Sequence, residues 1–375
     1  MGRIQTGKLH IGVGVFKRLE EELNANRSEK VLLIVESENR GSSFFYKLMA
    51  DILKDGIEAH FYFVPRNQER LHQPYQYPSD LYGVSYDTII ALGSFELLNY
   101  ASFLALFSES IGQPRQKKSL ILVPNTPTLG LEVAGLVYVY HQQVRTYPFM
   151  KRCYPTAVFY DPLMTTRIPL MQLLSSSILT LAEAIEYHYN SLVHRKLTTS
   201  AINLVLRYLV RATYQRKDLE AKEALLRAGM FLGLSRQEDD GVSLLPCMVR
   251  PIYQKVNISY AIVTAVLLPY MVKFYRLLEK GRKEIALLSE LNYDVSFIEL
   301  SSSPLPYRLA KLLRGVGFPL DLKSIGILER DLEALATHAY TLWSKGVGIE
   351  EEIDEEYFYA FYKSAYLGNI ESFLD

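Results

Sequence analysis

Val31–Val35 reads VLLIV, Ser42–Gly56 reads SSFFYKLMADILKDG and Ala59–Val64 reads AHFYFV. The first and third are short apolar runs rich in β-branched and aromatic residues, and the middle one repeats its apolar residues at helical spacing. Working outward, TIIALG (Thr88–Gly93) and SLILVP (Ser119–Pro124) add two more strand-like runs. The order over the first half is therefore strand, helix, strand, strand, strand. Strands this short and this apolar are buried on both faces, which predicts a parallel sheet covered by helices. That is an architecture whose ligands sit at the carboxyl ends of its strands.

From about Pro169 the texture changes. LMQLLSSSILTLAEAIEYHYN (Leu170–Asn190), TSAINLVLRYLVRATY (Thr199–Tyr214) and KDLEAKEALLRAGMFLG (Lys217–Gly233) all carry helical periods, and no strand-like run accompanies them. The expectation is an α/β, nucleotide-binding-type domain over residues 1–162, with a parallel sheet, followed by an all-α domain over residues 163–375. Tyr160-Asp161-Pro162 with Thr165, Thr166 and Pro169 is turn and helix-start chemistry between the halves, and a crevice there is the default ligand site. The acidic run GIEEEIDEE (Gly348–Glu356) precedes the apolar YFYAFYKSAYL and reads as the solvated start of a helix.

With 375 residues, 49% hydrophobic and 22% charged, the composition is that of a globular protein rather than a fibrous or disordered one. Its 41 basic and 41 acidic side chains cancel, so no general field draws it to nucleic acid or to an anionic membrane. Cys153 and Cys247 are too far apart in sequence for a CxxC zinc site, and two cysteines make no disulfide framework; a reducing cytoplasm is the expected compartment. The N-terminal stretch lacks the apolar core of a secretory signal and is expected to stay uncleaved. Ile258–Val272 is shorter than the ~20 residues a bilayer needs and contains Ser259, Thr264 and Pro269, so a buried helix is expected there and no membrane span. No GxSxG elbow, Walker A loop or HExxH pair is present.

Six stretches carry a family resemblance. They are IGVGVFKRLEEEL (Ile11–Leu23), DTIIALGS (Asp87–Ser94), VPNTPTLGLEV (Val123–Val133), AVFYDPLMTTRIP (Ala157–Pro169), LTLAEAIEYHYN (Leu179–Asn190) and AVLLPYMVKF (Ala265–Phe274). In that order and spacing the chain resembles the iron-containing alcohol dehydrogenases, the group that includes glycerol dehydrogenases and shares the dehydroquinate synthase-like fold. The resemblance implies an α/β nucleotide domain and a helical metal domain. In active members one Asp and two or three His hold iron or zinc, which polarises an alcohol or carbonyl oxygen while nicotinamide exchanges a hydride.

Carried over residue by residue, the metal set is missing. The resemblance puts Leu179 at the Asp position, and Glu183, Pro246 and Tyr260 at the histidines, with Arg250 at a further histidine near the substrate. The seven histidines are His10, His60, His72, His141, His188, His194 and His338, with none between His194 and His338, so no shift of register restores the site. Glu183 and Glu186, one turn apart, read as an ordinary surface pair, and His188 as a surface or satisfied interior histidine.

The phosphate loop is altered in parallel. Where the resemblance implies three glycines and a serine, the chain has Gly93-Ser94-Phe95-Glu96, with Asn99 and Ser102 at the positions of an Asp and a Lys. Phe95 is expected to claim volume where a phosphate would rest, and Glu96 to repel it. Of an early Pro-Asn-Pro turn only Asn67 remains, between Arg66 and Gln68, and Ser37 stands where many members have an Asp. The residues left to contact a nucleotide are Gly93, Ser94, Asn99, Thr126 and Gly130. Alternatively, Gly93-Ser94 is a strand-to-helix turn, and Pro124–Glu132, with Thr126 and Gly130, a tight turn in the sheet.

The leading expectation is a family member that has lost metal-dependent hydride transfer and serves as a scaffold for a small molecule or a protein partner, as a homo-oligomer or with active relatives. Iron and zinc are not expected, and no cofactor is assigned. The alternative is an oxidoreductase acting on an alcohol or carbonyl with NAD(P) through a rebuilt site, for which Glu183, Arg250, Lys255 and Tyr260 are the candidates, Arg250 supplying the positive charge of the metal. A third reading keeps an active dehydrogenase with unusual ligands.

Overall fold

A computed structural model of the chain describes residues 6–40, 43–53, 56–64, 78–107, 118–141, 144–190, 195–236, 244–256, 258–278, 305–347 and 353–370. The chain divides into two units, residues 1–169 and 170–375.

The first unit is built on a six-stranded sheet whose pairs are all parallel. Its strands are β1 (Lys8–Ile11), β2 (Lys30–Glu36), β3 (Glu58–Val64), β4 (Thr88–Gly93), β5 (Ser119–Pro124) and β8 (Ala157–Tyr160), in the order β1-β8-β5-β4-β2-β3. Val31–Glu36 and the whole of β4 are buried, as the unbroken apolar runs predict. Helices α1 (Leu19–Ala25) and α2 (Ser43–Leu53) lie between β1 and β3 in the chain, and Leu19, Leu23, Phe45, Leu48 and Ile52 share one core cluster with alternate residues of β2.

Between β4 and β5 runs α3 (Phe95–Phe107), which the strand-strand-strand reading omits. Its sequence, FELLNYASFLALF, is apolar almost all round and nine of its residues are buried, so no amphipathic period marks it. After β5 come the single turn α4 (Leu131–Ala134) and an antiparallel hairpin, β6 (Leu136–His141) and β7 (Val144–Arg152), that stands apart from the sheet and was not legible in the sequence.

Buried Asp161 ties the two ends of this unit together. Its carboxylate accepts from Gly14 N–H at 3.0 Å, Phe16 N–H at 3.2 Å and Leu163 N–H at 3.0 Å. It thus caps the 3-10 turn Pro162–Arg167 and holds the glycine turn after β1, where Gly14 has φ +77°.

Among its described residues the second unit contains helices and no strand: α5 (Leu170–Asn190), α6 (Arg195–Tyr214), α7 (Leu219–Ser235), α8 (Leu244–Lys255), α9 (Tyr260–Leu278), α10 (Leu305–Gly315), α11 (Leu332–Val347) and α12 (Glu355–Leu367). Helix α9 contains most of the apolar stretch and is buried, with Val263, Val266, Leu267 and Val272 fully enclosed. No helix of the described residues is long and apolar enough to cross a membrane. Asp218 and Asp354 cap α7 and α12, the latter accepting from Glu356 N–H at 2.9 Å, so the acidic run does end as a helix start; its residues 348–352 lie outside the described residues. Buried Tyr362 of α12 donates to the Met248 carbonyl of α8 at 2.7 Å, binding two helices far apart in sequence.

Replacing Asp161 by Ala strips the acceptor from three amides, and we expect a loss of about 3 kcal/mol in the stability of the first unit, read by urea denaturation. A loss within ~0.5 kcal/mol would show that the latch is dispensable.

Candidate functional site

At the carboxyl ends of the central strands, Gly93 closes β4 and Ser94 opens α3, its carbonyl accepting from Leu98 N–H at 3.0 Å. A Cβ on Gly93 would stand 3.1 Å from Leu97, so glycine here lets helix and strand pack closely, as the turn reading requires. The Ser94 N–H donates to the carboxylate of Glu36, the last residue of β2, at 3.1 Å. Glu36 is buried and was not singled out in the sequence.

The expected role of Phe95 needs correction. Its ring is buried in a cluster with Leu131, Ala134 and Leu136, edge-on to Tyr138 at 6.2 Å, and serves to dock α4 and β6 on α3. Its apolar surface goes where it is shielded from water rather than to the mouth of the helix. Asn99 is also spoken for by β6: its amide donates to the Tyr138 carbonyl at 3.0 Å and its oxygen accepts from Tyr138 N–H at 2.9 Å. Ser102 is buried and donates to the Leu98 carbonyl at 2.9 Å within α3.

One strand over, Asn125 N–H donates to the Gly93 carbonyl at 3.0 Å. Asn125 Oδ1 and Thr126 Oγ1 are buried and have no hydrogen-bond partner among the described residues. Gly130, at φ +75°, starts α4 and its carbonyl accepts from Val133 and Ala134. Glu132 turns inward: its Oε1 accepts from the Thr128 hydroxyl and, at 2.7 Å, from the Tyr160 phenol at the end of β8. Burial raises the Glu132 carboxyl above its ordinary range, and burial beside Glu132 pushes Tyr160 well up. This is the geometry of a locked turn.

In the second unit α5 packs against α8 and α9, the three helices that carry the positions implied by the resemblance. Leu179 and Glu183 lie one turn apart on α5, Pro246 and Arg250 on α8, and Tyr260 opens α9. The Glu183 carboxylate is held by Arg236, at the end of α7, at 2.6 Å; both side chains are nearly enclosed, with 13% and 12% of their surface exposed. Arg236 also lies over the Tyr187 ring, 5.8 Å from its centre. Glu186 is buried and accepts from Leu245 N–H, in the first turn of α8, at 3.0 Å. The two glutamates are therefore interior groups with separate partners, not the surface pair expected from their spacing. Burial, with Glu186 next in effect, pushes the neighbouring Tyr275 phenol well above its ordinary value.

Arg250 does not meet Glu183 in an ion pair; the cation found there is Arg236, which no motif marked. On α11, burial and, after it, the charge of Arg250 lower the pKa of His338. Lys255 binds Asp331 at 2.9 Å, and Tyr260 is edge-on to Tyr253 at 5.7 Å. His188 is an interior histidine, its Nδ1 3.0 Å from the Thr198 hydroxyl. Cys247 is buried, and burial pushes the Cys153 thiol up to about 11. Among the described residues no three His, Cys, Asp or Glu side chains are grouped so as to hold a metal ion. His72, His194 and the Arg66-Asn67-Gln68 turn lie outside the described residues.

Comparison with known proteins agrees with the fold. Residues 6–162 match the sequence model "Iron-containing alcohol dehydrogenase", and residues 181–366 match "Fe-containing alcohol dehydrogenase family, C-terminal". The chain is 23% identical to long-chain-alcohol dehydrogenase 1 of Geobacillus thermodenitrificans over 88% of each protein. It is 18% identical to the NAD-dependent methanol dehydrogenase of Bacillus methanolicus, over 88% of this chain and 91% of that one. A crystal structure of 1,3-propanediol oxidoreductase superposes with a TM-score of 0.79 at 16% identity, covering 98% of this chain and all of the other.

Two measurements follow from these networks. Arg236→Ala should cost about 2–3 kcal/mol, and a double-mutant cycle with Glu183→Ala should return a coupling of about 1–3 kcal/mol; a coupling near zero would deny the ion pair its role. Glu132 has a raised folded-state pKa, so its contribution is full below pH 4.5 and is lost as pH rises through the folded value. The stability of the parent relative to Glu132→Gln should accordingly fall as pH is taken upward from 4.5, read as melting temperatures across that range.

Proposed function

Because the chain belongs to the iron-containing alcohol dehydrogenase family, we propose that it keeps the family's α/β and helical units but has lost metal-dependent hydride transfer, and that it acts by binding a small molecule or a protein partner. The observation that carries this reading is the Glu183–Arg236 ion pair. Of the four positions that the resemblance assigns to metal ligands, Leu179 and Pro246 offer no lone pair. Glu183 offers one already engaged by a guanidinium, which stays charged at any ordinary pH. The pair is neutral as a whole and gives a dication no net attraction. At ~4 Å and an effective dielectric of ~20, each unit of like charge costs on the order of 4 kcal/mol, about what the carboxylate would return. Tyr260 alone is a poor donor set for iron or zinc.

A second reading is an oxidoreductase that acts on an alcohol or carbonyl compound with NAD(P). The names of the two sequence relatives favour it, one a long-chain-alcohol dehydrogenase and the other an NAD-dependent methanol dehydrogenase. It requires the groups around Glu183 to be rebuilt for chemistry, whereas Glu183 is engaged with Arg236 and Lys255 with Asp331.

The two readings separate in one experiment. Protein prepared with iron and zinc supplied should carry neither in stoichiometric amount, by plasma mass spectrometry, and should not oxidise NADH or NADPH with short- or long-chain aldehydes. One equivalent of metal together with nucleotide-dependent turnover would overturn the proposal.

A further inference from the structure

The chain runs from β2 outward to β3, then returns to β4 on the other side of β2 and continues to β5, so the strand order reverses between β2 and β4. In a parallel α/β sheet the carboxyl ends at such a reversal form the crevice that ordinarily takes a ligand, and a helix N-terminus there suits an anion. In this chain the amide at the mouth of α3, Ser94 N–H, already donates to an internal anion, the buried Glu36 carboxylate, at 3.1 Å. Beside it, on the adjoining strand end, Asn125 Oδ1 and Thr126 Oγ1 are buried polar atoms without a partner among the described residues. Buried polar atoms are ordinarily paired, so these two leave hydrogen-bonding capacity unmet at the edge of the crevice.

We propose that Glu36 is a built-in anion that takes the place of a phosphate at the mouth of α3 and so closes this crevice to dinucleotides and other anionic ligands. The proposal deepens the reading above, on which it rests for the class of ligand displaced. Two anions cannot share one amide, and a phosphate brought within ~4 Å of the carboxylate meets repulsion worth roughly three orders of magnitude in affinity at an effective dielectric of ~20. Half-buried Glu96, in the first turn of α3, adds to it. Neither Phe95, which is turned into the core, nor Asn99, which is bonded to β6, contributes to the exclusion.

A residue that merely caps α3 would show the same hydrogen bond, so the test reads ligand rescue and not stability alone. The full chain, Glu36→Ala and Glu36→Gln are compared, with inorganic phosphate followed by thermal shift and NADH by titration calorimetry. The parent should not respond to phosphate. Glu36→Ala should be stabilised by phosphate by about 2–4 °C and should bind NADH at least ~10-fold more tightly than the parent. A folded Glu36→Ala protein with no phosphate response and unchanged NADH affinity overturns the proposal, as does a parent that binds NADH at micromolar concentration. Should Glu36→Ala fail to fold, Glu36→Gln, which keeps volume and one acceptor, must still gain about tenfold for NADH, and no gain sinks the idea. Metal content, measured on the same samples, keeps the two proposals apart. A parent that binds NADH but carries no metal removes this one alone, and a metal-loaded, active parent removes the earlier one.

Discussion

The pairing of β2 with β4, Val31 on Thr88 through Val35 on Leu92, is the constraint on which the first unit depends. Both strands are buried on both faces, so their backbone groups can be satisfied only by each other and by the flanking strands. Parallel pairing has a second consequence: every strand ends on the same edge. Glu36, Gly93 and Pro124 are brought side by side there, although 88 residues separate the first from the last. A slip of one residue in this register would invert the faces of β2 and carry Glu36 away from the Ser94 amide.

A common thread runs through the buried or nearly enclosed acids Glu36, Glu132, Asp161, Glu183 and Glu186. Glu36 takes an amide of α3, Glu132 two hydroxyls, Asp161 three amides, Glu183 a guanidinium and Glu186 an amide of α8. A carboxylate removed from water must recover its lost hydration, and each of these recovers it from the chain itself. In a site built to bind a metal or a phosphate, such groups face the ligand. Their internal use supports the scaffold reading for both units, and at the sheet edge Asn125 Oδ1 and Thr126 Oγ1 are buried without a partner among the described residues.

Legibility in the sequence followed the physics of each element. The strands β2 to β5 and helix α2 were readable because a uniform apolar run or a clear helical period depends on nearest neighbours alone. Helix α3, whose start the Gly93-Ser94 turn reading implied, was left out of the order of segments because burial on all sides erases its period, and the β6–β7 hairpin because its two halves carry no strong turn signal. The spacing of Glu183 and Glu186 suggested a surface pair; their enclosure comes from α7 and α8, which arrive 50 to 60 residues later. The same holds for Arg236 and Glu36, whose partners are 53 and 58 residues away in the chain.

By itself the sequence determined the class of the fold, an α/β sheet followed by helices, the family to which it belongs, and the identities of the residues, Leu179, Pro246 and the loop after Gly93, on which the proposed loss of chemistry rests. These are matters of local pattern and residue identity. Only the tertiary structure decided which group satisfies which: that Phe95 packs inward, that Arg236 rather than Arg250 neutralises Glu183, and that Glu36 sits on the amide of Ser94. The reason is physical. A buried polar or charged group is stable only with a partner, and packing chooses that partner from whatever distant elements the fold brings within hydrogen-bond range.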